Sequence, residues 1–221
     1  MTSKVIGMTN EGRNIKVVKI NSNNTQLPII FIDAGIHARE WISPASTLFL
    51  IEKLARQISK GRGKNDIAKY QWHIIPLANP DGYEYTRYID EYVCLKLCLN
   101  LQNIRSHNRL WRKNTVPLPN TDCIGVDLNR NFPEGYGIGA SKNPCSEVYQ
   151  GVYCAQLTLP QLDSCHCIPP SGSHPFSELE SITMRNYVHS LRNVAAAVSI
   201  HSFGSVLIYP WGYKTTQHPR R

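Results

Sequence analysis

Residues 27–41 read LPIIFIDAGIHAREW, and this stretch decides the class of fold. From Leu27 to Ile36 the run is apolar on both faces, as a strand covered on both sides of a sheet must be. Ser43-Pro44 then reads as an N-cap followed by proline at the first helical position. Thr47, Leu48, Ile51, Leu54, Ala55 and Ile58 continue as one helical stripe that ends at Gly61. A two-sided apolar strand feeding a helix is an α/β signature.

Working outward, the β-branched run Asn14 to Ile20 predicts a second strand, joined to the first by the turn-rich Asn21-Ser22-Asn23-Asn24 as a tight connection. Gln71 to Ala78 predicts another strand, stopped by the turn chemistry of Asn79-Pro80-Asp81-Gly82. Ser177 with Glu180 has capping-box spacing for a helix to about Arg192, and Val194 to Ile200 follows as a short buried strand. The expected architecture is α/β: a mixed, mostly parallel central sheet with helices on both faces, whose ligands gather beyond strand carboxyl ends. Segments 87–106 and 152–174 break the rhythm, the first with alternating leucines and two cysteines, the second rich in proline and cysteine. They read as inserted loops in a single domain over 1–221.

Composition narrows the function classes. With 221 residues, 42% hydrophobic and 18% charged, the chain can bury a sizeable core. No apolar run approaches the roughly 20 residues that span a bilayer, and the opening MTSKVIGMTNEGRN contains no secretory h-region, so neither a membrane partner nor a signal peptide is expected in the chain as written. The net charge of +8 invites nucleic acid. The basic residues Lys53, Arg56, Lys60, Arg62, Lys64, Arg109, Arg112 and Lys113 are scattered, however, without aromatic interleaving or a DNA-reading motif, so no nucleic-acid partner is expected. Seven cysteines, at 94, 98, 123, 145, 154, 165 and 167, leave at least one without an intrachain partner.

His37 and Glu40 stand three positions apart at a strand's carboxyl end, a spacing suited to metal ligation. A catalytic zinc takes three protein ligands and keeps a fourth position open, and His201, just past Val194 to Ile200, is the natural third. An H-x-x-E pair alone arises often by chance, and a lone histidine is usually an ordinary loop residue. Arg112, Asn129, Arg130 and Tyr209 add cations and amides suited to a carboxylate ligand.

Seven ordered blocks carry more weight together: HAREW (37–41), NPDGYEY (79–85), NRLWRKN (108–114), GVDLNRNF (125–132), NPCSEVYQG (143–151), PFSELES (175–181) and SIHSFGSVLIYPWGY (199–213). On these the chain resembles the zinc metallocarboxypeptidase family, carboxypeptidase A/B type. The resemblance implies one Zn2+ held by His37, Glu40 and His201, the two-histidine, one-glutamate set that is the standard example of such a site. It implies that Arg112 polarises the scissile carbonyl, that Asn129 and Arg130 hold the substrate's terminal carboxylate, and that Arg39 and Tyr209 are further substrate contacts. It also implies a Cys123–Cys145 disulfide, an extracellular setting, a monomer, and the C-terminus of a peptide or protein as substrate. Asp127 is either a partner that orients a zinc histidine or an ordinary strand-end aspartate. The pairing of the other cysteines stays open.

Departures from the family pattern set a second expectation. The resemblance places a water-activating glutamate and a mobile tyrosine beyond the block that ends at Tyr213, whereas residues 214–221 read KTTQHPRR and contain no acidic side chain. Phe203 stands where the carboxypeptidase A pattern often has tyrosine. Two functions are therefore weighed, a zinc exopeptidase with impaired turnover and a catalytically silent binder of zinc and peptide C-termini.

Overall fold

The computed structural model describes residues 1–21, 23–60, 66–87, 108–150 and 174–212. Its sheet contains β1 (Thr2–Met8), β2 (Asn14–Ile20), β3 (Ile29–Ala34), β4 (Gln71–Ile75) and β5 (Val194–Ile200), in the spatial order β1-β2-β4-β3-β5. β3 pairs in parallel with both β4 and β5, while β2 runs antiparallel to β1 and β4. The helices are α1 (Ile42–Ser59), α2 (Pro80–Arg87) and α3 (Leu179–Ser190). The sheet is mixed, as the sequence predicts, and its centre is parallel. Among the described residues no helix is long and apolar enough to cross a membrane.

Period-2 alternation sorts the strand side chains into two layers. Phe31 and Ile75 point to one face and pack with Ile15, Val17, Met184 and Tyr187, the last two from α3. Their neighbours Ile32 and Ile74 point to the other face, against Ile51 and Leu54 of α1. Because β3 and β4 are covered on both sides, their sequences are apolar at successive positions. Helices thus lie on both faces, and the carboxyl ends of β3 and β5 emerge side by side, with Ala34 opposite Ile200.

Several local expectations are corrected. β2 and β3, read as strands joined by a tight connection, are not neighbours, because β4 lies between them. Asn79-Pro80-Asp81-Gly82 does not merely end a strand. It starts α2: Asn79 Oδ1 accepts from the Gly82 N–H at 2.9 Å and Pro80 takes the first helical position, where its missing donor costs nothing. Ser43 is not a cap. α1 begins one residue earlier, and the Ser43 hydroxyl accepts from the Gly35 N–H at 3.0 Å and donates to the Ile200 carbonyl, joining the ends of β3 and β5. Nor do Ser177 and Glu180 form a capping box, since Glu178 occupies the N-cap position of α3. β5, read as buried, is exposed along almost its whole length, because among the described strands it pairs with β3 alone. The expected loops 87–106 and 152–174 lie outside the described residues apart from Arg87 and His174.

The buried start of α3 carries a charge conflict. Asn114 Nδ2 donates to Glu178 Oε2 at 2.8 Å and to Glu180 Oε2 at 3.4 Å, so two buried carboxylates share one amide. Burial first, then the neighbouring charges of Glu178 and Asp81, pushes Glu180 up to about 7, against hydrogen bonds from its own backbone and Asn114 that pull the other way. Between the ordinary glutamate range and that value the folded chain keeps a proton that the unfolded chain releases. This group's contribution to stability therefore falls as pH rises through that window. Replacing it with a neutral amide, E180Q, is expected to gain stability relative to the parent between pH 5 and 8, by on the order of 2 kcal/mol, as read from urea unfolding midpoints at the two pH values.

Candidate functional site

The turn after β3 is shaped by two close approaches. Gly35 takes φ +67°, and a Cβ there would meet the Leu77 side chain at 2.7 Å, so glycine is required at the point where the chain leaves the sheet. Beyond it the fully buried Asn79 donates to the carbonyls of Ile36 and Lys113, each at 3.1 Å. One amide therefore fixes the strand end before His37 and the segment that carries Arg112. The Ala38 N–H adds a bond to the Arg112 carbonyl at 3.1 Å.

On this frame His37, Glu40 and His201 converge. His37 Nδ1 lies 2.8 Å from Glu40 Oε1, while His201 Nδ1 lies 3.1 Å from Glu40 Oε2 and 3.1 Å from His37 Nδ1. The Ser202 N–H donates to Glu40 Oε2 at 3.1 Å. Burial alone would raise the Glu40 carboxyl, but hydrogen bonding to His201 and His37, the charge of His37 and the Ser202 N–H hold it well below the usual carboxylate range.

The outer nitrogens of the rings face hydrogen-bonding groups. Buried His37 Nε2 faces Asp127 Oδ1 at 3.4 Å, a contact that falls short of a well-aligned hydrogen bond, and it has no other partner among the described residues. His201 Nε2 lies 3.3 Å from Ser199 Oγ, which donates to Asp33 Oδ2 at 2.7 Å. Once the Nδ1 protons that bond to Glu40 are given up and the rings keep their protons on Nε2, two Nδ1 lone pairs and a carboxylate point at one another, an arrangement that suits a cation between them. Donors about 2.0–2.1 Å from a tetrahedral ion stand roughly 3.3 Å apart, so the observed 2.8–3.1 Å separations need only a few tenths of an ångström of adjustment. The donor set fits zinc. Among the described residues these three are the only such group of possible metal ligands.

Asp127 is fully buried and accepts from Arg112 Nε at 3.0 Å and from the Asn129 N–H at 3.0 Å. Burial would raise its carboxyl, yet the facing His37 imidazole and the charge of Arg112 hold it below the ordinary aspartate range. The N–H bond caps the short 3-10 turn Leu128–Arg130, which carries Asn129 and Arg130. Arg130 is half-buried, donating from Nε to the Gly139 carbonyl at 3.2 Å and from Nη1 to the Asn129 carbonyl at 3.0 Å. Arg39 pairs with Glu147 at 2.9 Å and with the Leu110 carbonyl at 3.1 Å. Tyr209 is 71% exposed and, among the described residues, has no hydrogen bond to any of these groups. Cys123 and Cys145 are joined as a disulfide.

The whole chain, residues 1–221, matches the family model described as zinc carboxypeptidase. This chain belongs to the zinc carboxypeptidase family. Carboxypeptidase B of Helicoverpa zea is 37% identical in an alignment of 213 positions that covers 92% of this chain and 39% of that protein. Human carboxypeptidase A1 is 33% identical in an alignment of 222 positions that covers 99% of this chain and 44% of that protein. Among solved structures, carboxypeptidase A from Helicoverpa armigera superposes with a TM-score of 0.68 at 31% identity, over 92% of this chain and 41% of that one. Bovine thrombin-activatable fibrinolysis inhibitor, solved in complex with tick carboxypeptidase inhibitor, gives 0.71 at 28% identity, over 99% of this chain and 59% of that one. The chain thus spans about two-fifths of the length of these curated relatives.

Zinc is the family's metal, and the convergent histidine-glutamate-histidine set suits it. Sequence reasoning found all three of these residues and weighed Asp127, but it missed Asp33 and Ser199. A signal was present, since Asp33 is the one acidic residue in an otherwise apolar strand and Ser199 lies two positions before His201, on the same strand face. For Asp127 the expected outcome of D127N is a zinc affinity lower by about 10–100-fold in a chelator competition, because the amide cannot hold the charge partner of His37 and Arg112.

Proposed function

We propose that this chain is the zinc-binding portion of a carboxypeptidase that releases single residues from the C-termini of peptides and proteins, with His37, Glu40 and His201 holding one zinc ion. The observation that carries this reading is the convergence of His37 Nδ1, His201 Nδ1 and the Glu40 carboxylate. Bound there, zinc supplies a Lewis acid that polarises a carbonyl and makes water a nucleophile near neutral pH.

The chain's own residues divide the remaining work by their donors. Arg112 spends Nε on Asp127, so its guanidinium is fixed in advance and its terminal nitrogens have no hydrogen-bond partner among the described residues. A fixed, permanent charge with free donors suits an oxygen that becomes negative during amide hydrolysis. Asn129 and Arg130, carried on the turn that Asp127 caps, grip the substrate's terminal carboxylate. The bidentate form of that grip draws Arg130 Nη1 away from the Asn129 carbonyl. Exopeptidase action follows, since an internal peptide has no carboxylate to offer there. Arg39 and Tyr209 serve as outer substrate contacts, and Arg39 exchanges Glu147 for the substrate. The Cys123–Cys145 bridge favours an oxidising, extracellular setting.

A second reading, binding without hydrolysis, is favoured by one observation. Among the described residues, the carboxylates near the cluster are already committed: Glu40 to the histidines, Asp127 to Arg112 and Asn129, and Asp33 to Ser199. A proton acceptor for the attacking water is typically responsible for about 10²–10⁴ of the rate. One assay separates the readings. The zinc-loaded chain is mixed with peptides ending in a free carboxylate or an amide, and the products are weighed. Release of one terminal residue from the free acid alone supports the exopeptidase, tight binding of the free acid without release supports the silent binder, and equal action on both peptides contradicts the carboxylate grip. R130A is expected to weaken handling of the free acid by on the order of 100-fold in kcat/KM or affinity, and to leave zinc content unchanged.

A further inference from the structure

Both histidines of the cluster have a buried carboxylate behind them, and the two are connected differently. Asp127 faces His37 directly. Asp33, 6% exposed near the end of β3, reaches His201 only through a hydroxyl. In the parallel ladder Asp33 is the register partner of Ser199 on β5. The hydroxyl has one proton and directs it to Asp33 Oδ2 at 2.7 Å, which leaves its oxygen lone pairs toward His201 Nε2 at 3.3 Å. An acceptor at that position keeps the ring proton on Nε2 and leaves Nδ1 as the lone pair aimed at Glu40 and His37.

We propose that Asp33 and Ser199 form a carboxylate–hydroxyl–imidazole relay that positions His201 for the metal. They are positioning residues, acting through His201 and touching neither metal nor substrate. The proposal rests on the zinc-site reading above. An alternative purpose, holding β5 against β3, is weak, because the backbone ladder from Ile29–Val194 to Ala34–Ile200 already does this. The relay uses an aspartate that is costly to bury, and the hydrogen bond from Ser199 offsets part of that cost. A strand-joining role would not need an acid there. Ser43, at the start of α1, bonds through its hydroxyl to the Ile200 carbonyl one residue before His201. The backbone at this strand end is thereby fixed independently of the relay.

The test is zinc affinity of the full chain by chelator competition, with the metal-free melting curve as a control for folding. S199A removes the hydroxyl and is expected to weaken zinc binding on the order of 10–100-fold with the metal-free melt unchanged. S199T keeps the hydroxyl and is expected to restore the parent's affinity. D33N keeps an acceptor for the Ser199 proton but removes its charge, and is expected to fall between S199A and the parent. Parental affinity in S199A, or an S199T as weak as S199A, overturns the relay. If S199A lowers the metal-free melt, D33N decides: weakened binding supports the relay and parental binding overturns it. A parent chain that binds no zinc overturns the functional reading itself, which keeps the two failures distinct.

Discussion

One buried carboxylate ties the candidate metal centre to the candidate substrate groups. Asp127 has no solvent exposure, and its two oxygens face His37 Nε2, Arg112 Nε and the Asn129 N–H. A buried anion is tolerable only when its charge is matched and its lone pairs are used. Each of the three groups that satisfy it belongs to a different part of the proposed chemistry: a metal ligand, the carbonyl-polarising guanidinium and the turn that presents Asn129 and Arg130. Moving Asp127 would therefore disturb all three at once. Its own position is set by the Tyr149 carbonyl, which accepts from the Asp127 N–H at 2.8 Å, and by Asn114, whose Oδ1 accepts from the Val126 N–H at 2.7 Å.

The sheet brings the two halves of the metal centre together. His37 and Glu40 follow β3, and His201 follows β5, 161 residues after Glu40 in the chain but adjacent in space because β3 and β5 pair in parallel. Parallel neighbours end on the same side, so ligands that follow each strand meet there. Ser43 reinforces this by holding the Gly35 N–H and the Ile200 carbonyl with one hydroxyl.

Much of this was legible in the sequence, and the rest was hidden for physical reasons. The apolar run of β3 announced a strand covered on both faces, and the spacing of His37 and Glu40 after it announced paired ligands. Strand order was not legible, since nothing local in Asn14 to Ile36 says that β4 will enter between β2 and β3. Ser43 and Ser177 carried real capping signals. Tertiary demands overrode them: Ser43 is drawn to two strand ends, and Glu178 displaces Ser177 at the start of α3. The apolar composition of β5 suggested burial, but composition does not reveal whether a strand has a neighbour on each side. The paired acids Glu178 and Glu180 looked like an ordinary helix start, and only three-dimensional contact shows that they share the Asn114 amide.

The central claim is that His37, Glu40 and His201 hold a single zinc ion. X-ray diffraction from crystals of the zinc-loaded chain, recorded on both sides of the zinc absorption edge, tests it most directly. The account expects one anomalous peak, about 2.0–2.1 Å from His37 Nδ1 and His201 Nδ1 and within bonding distance of the Glu40 carboxylate. A peak bound elsewhere, or no peak in crystals grown at saturating zinc, would contradict it.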